Sequence, residues 1–196
     1  MPTSLCLEFT QTRGWAPRDR SDDALATYSD LVAWARARAL VPEREARRLR
    51  AWATSHPRKA ARTLESARAL RAVIYRIFAA VGAGGAAADA DVRLLNRWLG
   101  PARAHQGLER SGDGWAYGWS GGPGPEPERP LWPIVVSAAG LLTGEGLERV
   151  RLCAADDCGW LFLDDSRNRS RRWCDMSDCG NRAKARRYRA RHRAED

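Results

Sequence analysis

C-A-A-D-D-C at residues 153–158 and C-D-M-S-D-C at residues 174–179, with fifteen residues between them, decide how this chain is read. The two pairs, Cys153/Cys158 and Cys174/Cys179, share one C-x4-C spacing. Four thiolates delivered by two tight turns form a closed tetrahedral set for a structural Zn2+, with no position left for water or substrate. The competing readings are four unrelated core cysteines, which would not arrive as two equally spaced pairs, and two disulfides. Disulfides suit small secreted chains, and the start of this sequence lacks the basic and apolar regions of a secretory signal. Ligand type alone leaves an iron–sulfur cluster as a further alternative.

Between the pairs, Gly159 to Leu163 reads as a short strand, Asp164-Asp165-Ser166 and Asn168 as turn chemistry, and Arg169 to Trp173 as a returning strand. After Cys179, Gly180 permits a tight backbone and Asn181 is a good N-cap; Arg182 to Arg193 holds neither Gly nor Pro and is rich in helix formers. The order knuckle, hairpin, knuckle, helix is that of a treble-clef-like finger.

Residues 167–193 contain eleven Arg or Lys and two Asp, while the remainder of the chain is balanced, so the whole net charge of +9 lies in the second half of this finger. On a helical wheel Arg182, Arg186, Arg189 and Arg193 share one stripe, with Lys184, Arg187 and Arg191 opposite. With Arg167, Arg169, Arg171 and Arg172 from the turn and returning strand before the second cysteine pair, the candidate nucleic-acid contacts are Arg167, Arg169, Arg171, Arg172, Arg182, Lys184, Arg186, Arg187, Arg189 and Arg193. Arginine forks match phosphate and guanine with paired hydrogen bonds. Five phosphate contacts on duplex DNA would give a log–log salt slope of about −4 to −5. A solvated basic tail is the bland alternative.

W-L-F-L-D, S-R-N-R-S-R-R-W-C and C-G-N-R-A-K-A-R-R resemble the CGNR zinc-finger family, whose name motif is here Cys179-Gly180-Asn181-Arg182. In that family the finger follows a mostly helical domain called ABATE, and its members are regarded as bacterial transcription regulators. The resemblance implies one structural zinc and DNA as the partner. L-C-L-E-F-T-Q-T at residues 5–12 is similar to the L-D-F-V-N-T motif that opens the ABATE domain, with Leu7, Phe9 and Thr12 in agreement and Glu8, Thr10 and Gln11 departing from it. Glu8, Gln11, Thr12 and a central-helix arginine, Arg71, form a candidate ligand pocket; the same groups would equally tie a buried N-terminal segment to its neighbours.

The rest of the sequence supports a helical body. Ser21-Asp22-Asp23 marks a helix start, with Leu25, Tyr28, Leu31, Val32 and Ala35 at helical spacing to about Ala39. Pro42 suits the first position of a second helix running to Ser55. Pro57 opens a long third, with Leu64, Ala67, Leu70, Val73, Ile74, Ile77, Phe78 and Val81 on one face and Gly82 as its end. A fourth runs from Ala86 to Leu99 and closes at Gly100-Pro101. Ala104–Arg110 and Trp115–Trp119 flank Ser111-Gly112-Asp113-Gly114 as a hairpin, and a last helix spans Leu131 to Thr143 with Pro133 in its first turn. The expected fold is mainly α: a multihelical domain with a small hairpin over residues 1–146, then the four-cysteine finger over 147–196.

No apolar run approaches the roughly 18 residues of a membrane span. A thiolate metal site and the absent signal point to the reducing cytoplasm. Cys6, the odd cysteine, reads as a small buried apolar residue. His56, His105 and His192 are the only histidines, none lies within a cysteine pair, and no nucleophile-elbow, P-loop or H-E-x-x-H motif occurs, so an enzyme is not expected. The expected protein is a DNA-binding regulator whose helical domain senses a small ligand or forms a homodimer. The alternative is a zinc-stapled module for acidic protein or RNA.

Overall fold

The computed structural model describes residues 5–14, 23–122 and 124–192. The architecture is mainly helical with two small antiparallel hairpins, as the hydrophobic periodicity indicates. Its axis is α4 (Pro57–Gly82), entered through Pro57 in the first turn, where a missing N–H costs nothing. Leu64, Ala67, Leu70, Val73, Ile74, Ile77 and Phe78 are buried along one face. Against that axis pack α1 (Leu5–Thr10), α2 (Tyr28–Ala37), α3 (Glu43–Ser55) and α5 (Asp89–Ala104), and α6 (Trp132–Thr143) closes the core over α1 and α5.

Three boundaries differ from the sequence reading. Residues 5–10 alternate briefly, yet they form a helix. Leu5, Cys6, Leu7, Phe9 and Thr10 are all buried and Glu8 alone reaches solvent, so no polar stripe imposes a period, and the Thr10 and Thr12 hydroxyls donate back to the Leu7 and Phe9 carbonyls at 2.6 and 2.8 Å. Cys6 is fully buried, as a small apolar residue would be; burial pushes its thiol up to about 12. The start expected at Ser21 lies outside the described residues, and α2 begins after Thr27. Thr27 and Asp30 form a reciprocal capping box, so the T-Y-S-D sequence stops the helix from starting earlier. The stop expected at Gly100-Pro101 is overrun: α5 continues to Ala104 with Pro101 inside it, because burying Ala102 completely outweighs one lost hydrogen bond near the end.

The first hairpin pairs β1 (Gln106–Ser111) with β2 (Gly114–Trp119). Gly112 sits at the turn with φ of 58°, where a side chain would be strained. The second pairs β3 (Val150–Leu152) with β4 (Leu161–Leu163) across the first cysteine pair. This corrects the expected finger hairpin: β4 pairs backwards with β3, and residues 169–173 form no strand. Asp164 is the cause. Its fully buried carboxylate accepts from the Ser166 N–H at 3.0 Å, the Ser166 hydroxyl at 2.5 Å and the Arg171 N–H at 3.0 Å, curling the chain into a compact loop in which Arg169 adopts φ of 50°.

The second hairpin belongs to the main core. Val150 and Leu161 are buried in the same cluster as the helical face, Gln11 donates to the Leu161 carbonyl at 2.9 Å, and the Tyr75 hydroxyl donates to the Gly159 carbonyl at 3.0 Å. At the end of α4 a Cβ on Gly82 would lie 3.1 Å from the Leu152 nitrogen and 3.2 Å from the Arg151 carbonyl carbon, so glycine lets helix and strand touch. Packing thus crosses the expected 146/147 boundary. No helix among the described residues is long and apolar enough to cross a membrane.

Candidate metal centre and nucleic-acid interface

β3 runs straight into Cys153, and β4 leaves shortly after Cys158. The knuckle between them is closed by the Cys153 N–H donating to the Trp160 carbonyl at 2.8 Å and the Cys158 N–H to the Ala155 carbonyl at 3.1 Å, with Gly159 at φ of 71°. The second pair is organised by Asp175, whose carboxylate caps the N–H groups of Ser177 and Asp178. The chain then makes one wide π-type turn, Met176–Gly180, and enters α7 (Asn181–His192). Asp175, not Asn181, is therefore the cap. Asn181 is already helical at φ −69° and ψ −40°, and its amide donates to the Ser177 carbonyl at 2.9 Å.

The four sulfurs lie within 4.8 Å of one another, with Cys158 to Cys174 at 3.5 Å and Cys174 to Cys179 at 3.8 Å. A tetrahedron with Zn–S bonds of about 2.3 Å has edges of about 3.8 Å, so these four Sγ atoms fit one zinc ion. All four cysteines are free of disulfides. Burial pushes the Cys158 thiol up to about 12 and raises Cys174 and Cys179 as well. At Cys153 burial acts upward too, but N–H donation from Cys174 and Ala155 outweighs it and brings the thiol below its ordinary value. Three of the four thiolates are thus unfavourable unless a cation compensates them, which is the work of the metal. Around the sulfurs, the Cys174 N–H points at Cys153 Sγ (3.5 Å) and Arg182 Nη2 at Cys179 Sγ (3.2 Å); Trp160 and Trp173 shield the cluster. The centre binds one structural zinc, closed to substrate.

The ten candidate nucleic-acid contacts fall into separate groups. Arg167, Arg172, Lys184 and Arg189 are exposed with no carboxylate partner among the described residues, and Arg172 lies over Trp173 at 5.5 Å. Arg169 pairs with Glu148 at 3.4 Å. Arg171 is held inside the finger: its guanidinium lies 4.9 Å from the Phe162 ring and donates to the carbonyls of Trp173 and Cys174. Arg182 contacts Asp178 at 2.7 Å and Asp157 at 3.5 Å, and Arg186 contacts Asp157 at 3.3 Å. The Arg187 backbone is part of α7, and Arg193 lies outside the described residues. Asp157 is the residue that sequence reasoning missed. The acidic pair inside C-A-A-D-D-C was the available indication, since a carboxylate beside an Arg-rich helix finds a partner.

The candidate ligand-pocket residues have local partners. Arg71 is only 1% exposed; its Nη1 donates to Thr12 Oγ1 at 2.8 Å and to Asp23 at 2.7 Å, and its Nη2 to Asp23 at 2.5 Å. Burial acts to raise the Asp23 carboxyl, but the hydrogen bonds and charge of Arg71 outweigh it and hold it below the ordinary carboxylate range. Glu8 pairs with Arg38 at 3.0 Å, and Gln11 is bound to β4. Arg76 pairs with Asp91.

A helical body that buries a hairpin and hangs a basic helix from a closed four-sulfur zinc centre defines a zinc-finger protein. The family described as "ABATE: Putative stress-induced transcription regulator" matches residues 3–145, and the CGNR zinc finger matches residues 149–192. The chain belongs to the ABATE family, with a CGNR zinc finger following the ABATE domain. No curated protein matches the chain.

Proposed function

We propose that this protein is a cytoplasmic, bacterial DNA-binding transcription regulator in which residues 147–196 contact duplex DNA and residues 1–146 form the regulatory body. The observation that carries this reading is the setting of α7. Asn181–His192 contains six Arg or Lys and no acid, and its packing is against the metal-bearing Met176–Gly180 turn. Zinc fixes the turn that leads into it through Cys179, and Asp157 takes up Arg182 and Arg186, so the helix is oriented from its root. Lys184, Arg189, Arg167 and Arg172 are then the finger cations open to phosphate among the described residues. A four-sulfur zinc has no free coordination position, which argues against a catalytic role for the metal.

Four phosphate contacts predict a log–log salt slope of about −3.6 on duplex DNA. The test is a salt-titrated binding measurement on zinc-loaded protein, with single-stranded RNA and duplex DNA in competition. A slope near zero, or preference for RNA, overturns the reading.

A further inference from the structure

Five large apolar side chains are markedly exposed among the described residues, and three of them, Leu108 (68%), Trp115 (66%) and Tyr117 (64%), are on the β1–β2 ribbon. The register sets Leu108 opposite Tyr117 and Arg110 opposite Trp115. Directly opposed residues of an antiparallel pair project to the same side, so these four make one continuous face. The reverse side carries Gly107 opposite Gly118 and Glu109 opposite Ala116, and the Glu109 side chain folds over Gly118, where it would lie 2.3 Å from an added Cβ. The ribbon is anchored at its root. Trp119 is half-buried, its ring 6.2 Å from that of Trp132, and the buried Arg129 guanidinium lies 5.5 Å from the Trp119 ring. The apolar face is therefore held out from the body on a fixed base.

Charge identifies the kind of partner. Residues 106–119 hold one cation, Arg110, and two acids, Glu109 and Asp113, for a net charge of −1. The acids lie off the apolar face, Glu109 behind it and Asp113 in the turn, and with Arg110 as its one charge the face lacks the basic cluster that a polyanion needs, although the finger of the same chain is strongly basic. Area points to a second copy. A fully covered Trp or Tyr buries about 150–250 Å2, so this face, about two-thirds open at three large residues, offers roughly 400 Å2. Two such faces together remove about 800 Å2, and the adjoining Arg110 side chains and strand edges bring the total to roughly 1,000 Å2, the lower end for a specific interface. In an antiparallel, two-fold arrangement the two Arg110 side chains sit at opposite ends and do not repel.

We propose that the Leu108–Arg110–Trp115–Tyr117 face is a homodimer interface, occupied by the same face of a second copy of this chain. The interface lies on the helical body and does not depend on the DNA-binding reading.

The test is sedimentation equilibrium of the full zinc-loaded chain, without nucleic acid, alongside Trp115→Ser and the Leu108→Ser/Tyr117→Ser double variant. The expected result is a reversible dimer with a dissociation constant on the order of micromolar. Each variant should weaken it by at least about tenfold while circular dichroism shows an unchanged fold. A wild-type chain that stays monomeric near 100 micromolar overturns the proposal. So does a dimer that both variants leave intact. A monomer whose DNA affinity falls with Trp115→Ser would assign the face to nucleic acid and also overturn it.

Discussion

Removing zinc should melt α7 and leave the rest of the protein folded. α7 supplies twelve of the ninety-five α-helical residues described, so about one-eighth of the helical signal is at stake. Twelve residues are at the margin of what forms a helix alone in water, even for favourable sequences. This sequence is unfavourable. Its six cations neighbour one another at i,i+3 or i,i+4 spacing, as in Arg182/Arg186, Lys184/Arg187, Arg186/Arg189 and Arg187/Arg191, with no acid inside the helix, and Arg182 and Lys184 stand near the positive end of the helix dipole.

What remains without metal is the Asp175 cap, worth about 1 kcal/mol, the exposed i,i+4 pair of Asp178 with Arg182, and the ion pairs of Arg182 and Arg186 with Asp157. Those side chains are 42%, 37% and 29% exposed, so each pair contributes at most about 1 kcal/mol. Zinc binding to finger peptides is worth about 10–16 kcal/mol and dominates them all. β3 and β4 do not share this dependence, because Val150 and Leu161 are buried in the helical core. Chelator titration followed by circular dichroism at 222 nm, with released zinc measured on the same sample, should show loss of about one-eighth of the helical signal. Thermal unfolding of the remainder should stay cooperative. Full zinc release with unchanged ellipticity would refute the reasoning, as would collapse of the entire helical signal.

Two further substitutions test the polar contacts. Asp23→Asn leaves the Arg71 guanidinium, 1% exposed, without its counter-ion, at a cost of about 3–5 kcal/mol. In a chain of this size that lowers Tm by roughly 6–20 °C, and pairing it with Arg71→Met should recover most of the loss; a near-silent Asp23→Asn would show that Arg71 has another anion. The pH dependence follows from the same pair. A carboxyl lowered by folding adds stability that is complete above its unfolded value, near 3.9, and is lost as pH falls through its lower folded value. Urea unfolding between about pH 5 and pH 2 should therefore show a weaker acid dependence in Asp23→Asn than in the parent. At the finger, Asp157→Asn releases Arg182 and Arg186, so zinc content should hold while the salt slope on duplex DNA steepens by up to about 1.8. Weaker binding with an unchanged slope would mean that the clamp orients α7 instead of withholding its arginines.

The elements that could be read from sequence are those whose periodicity or chemistry is local. The face from Leu64 to Phe78 repeats at helical spacing through α4, Pro57 and Gly82 mark its ends, and the equal cysteine spacings announce the metal. The misplaced features are those decided by distant partners. Residues 5–10 are buried at every position but Glu8, too small a polar face to show a helical period. Pro101 is overruled by the burial of Ala102. Residues 169–173 look like a strand until Asp164 folds the preceding loop and Arg171 turns inward on the carbonyls of Trp173 and Cys174. The arginine stripe was visible on a helical wheel, but a wheel carries no information about Asp157, twenty-five residues before Arg182.

These differences change what the finger is. Half of its sulfur tetrahedron rides on the helical core: Cys153 follows β3 directly, and Cys158 is separated from β4 by only Gly159 and Trp160. The other half, Cys174 and Cys179, sits on a segment organised by the side chains of Asp164, Arg171 and Asp175. Zinc, the Asp157 clamp, the Ala154 N–H donating to the Arg172 carbonyl at 2.8 Å and the Arg171 guanidinium against Phe162 join the two halves. Because the β3 backbone passes against Gly82 at the end of α4, and Gln11 after α1 grips β4, a displacement of either helix moves Cys153 and Cys158 as a unit. The second pair follows through the metal and these contacts, and α7 begins immediately after Gly180. A change in the packing of the helical body therefore has a short, stiff route to the basic helix, one that a finger tethered by a loose linker would lack.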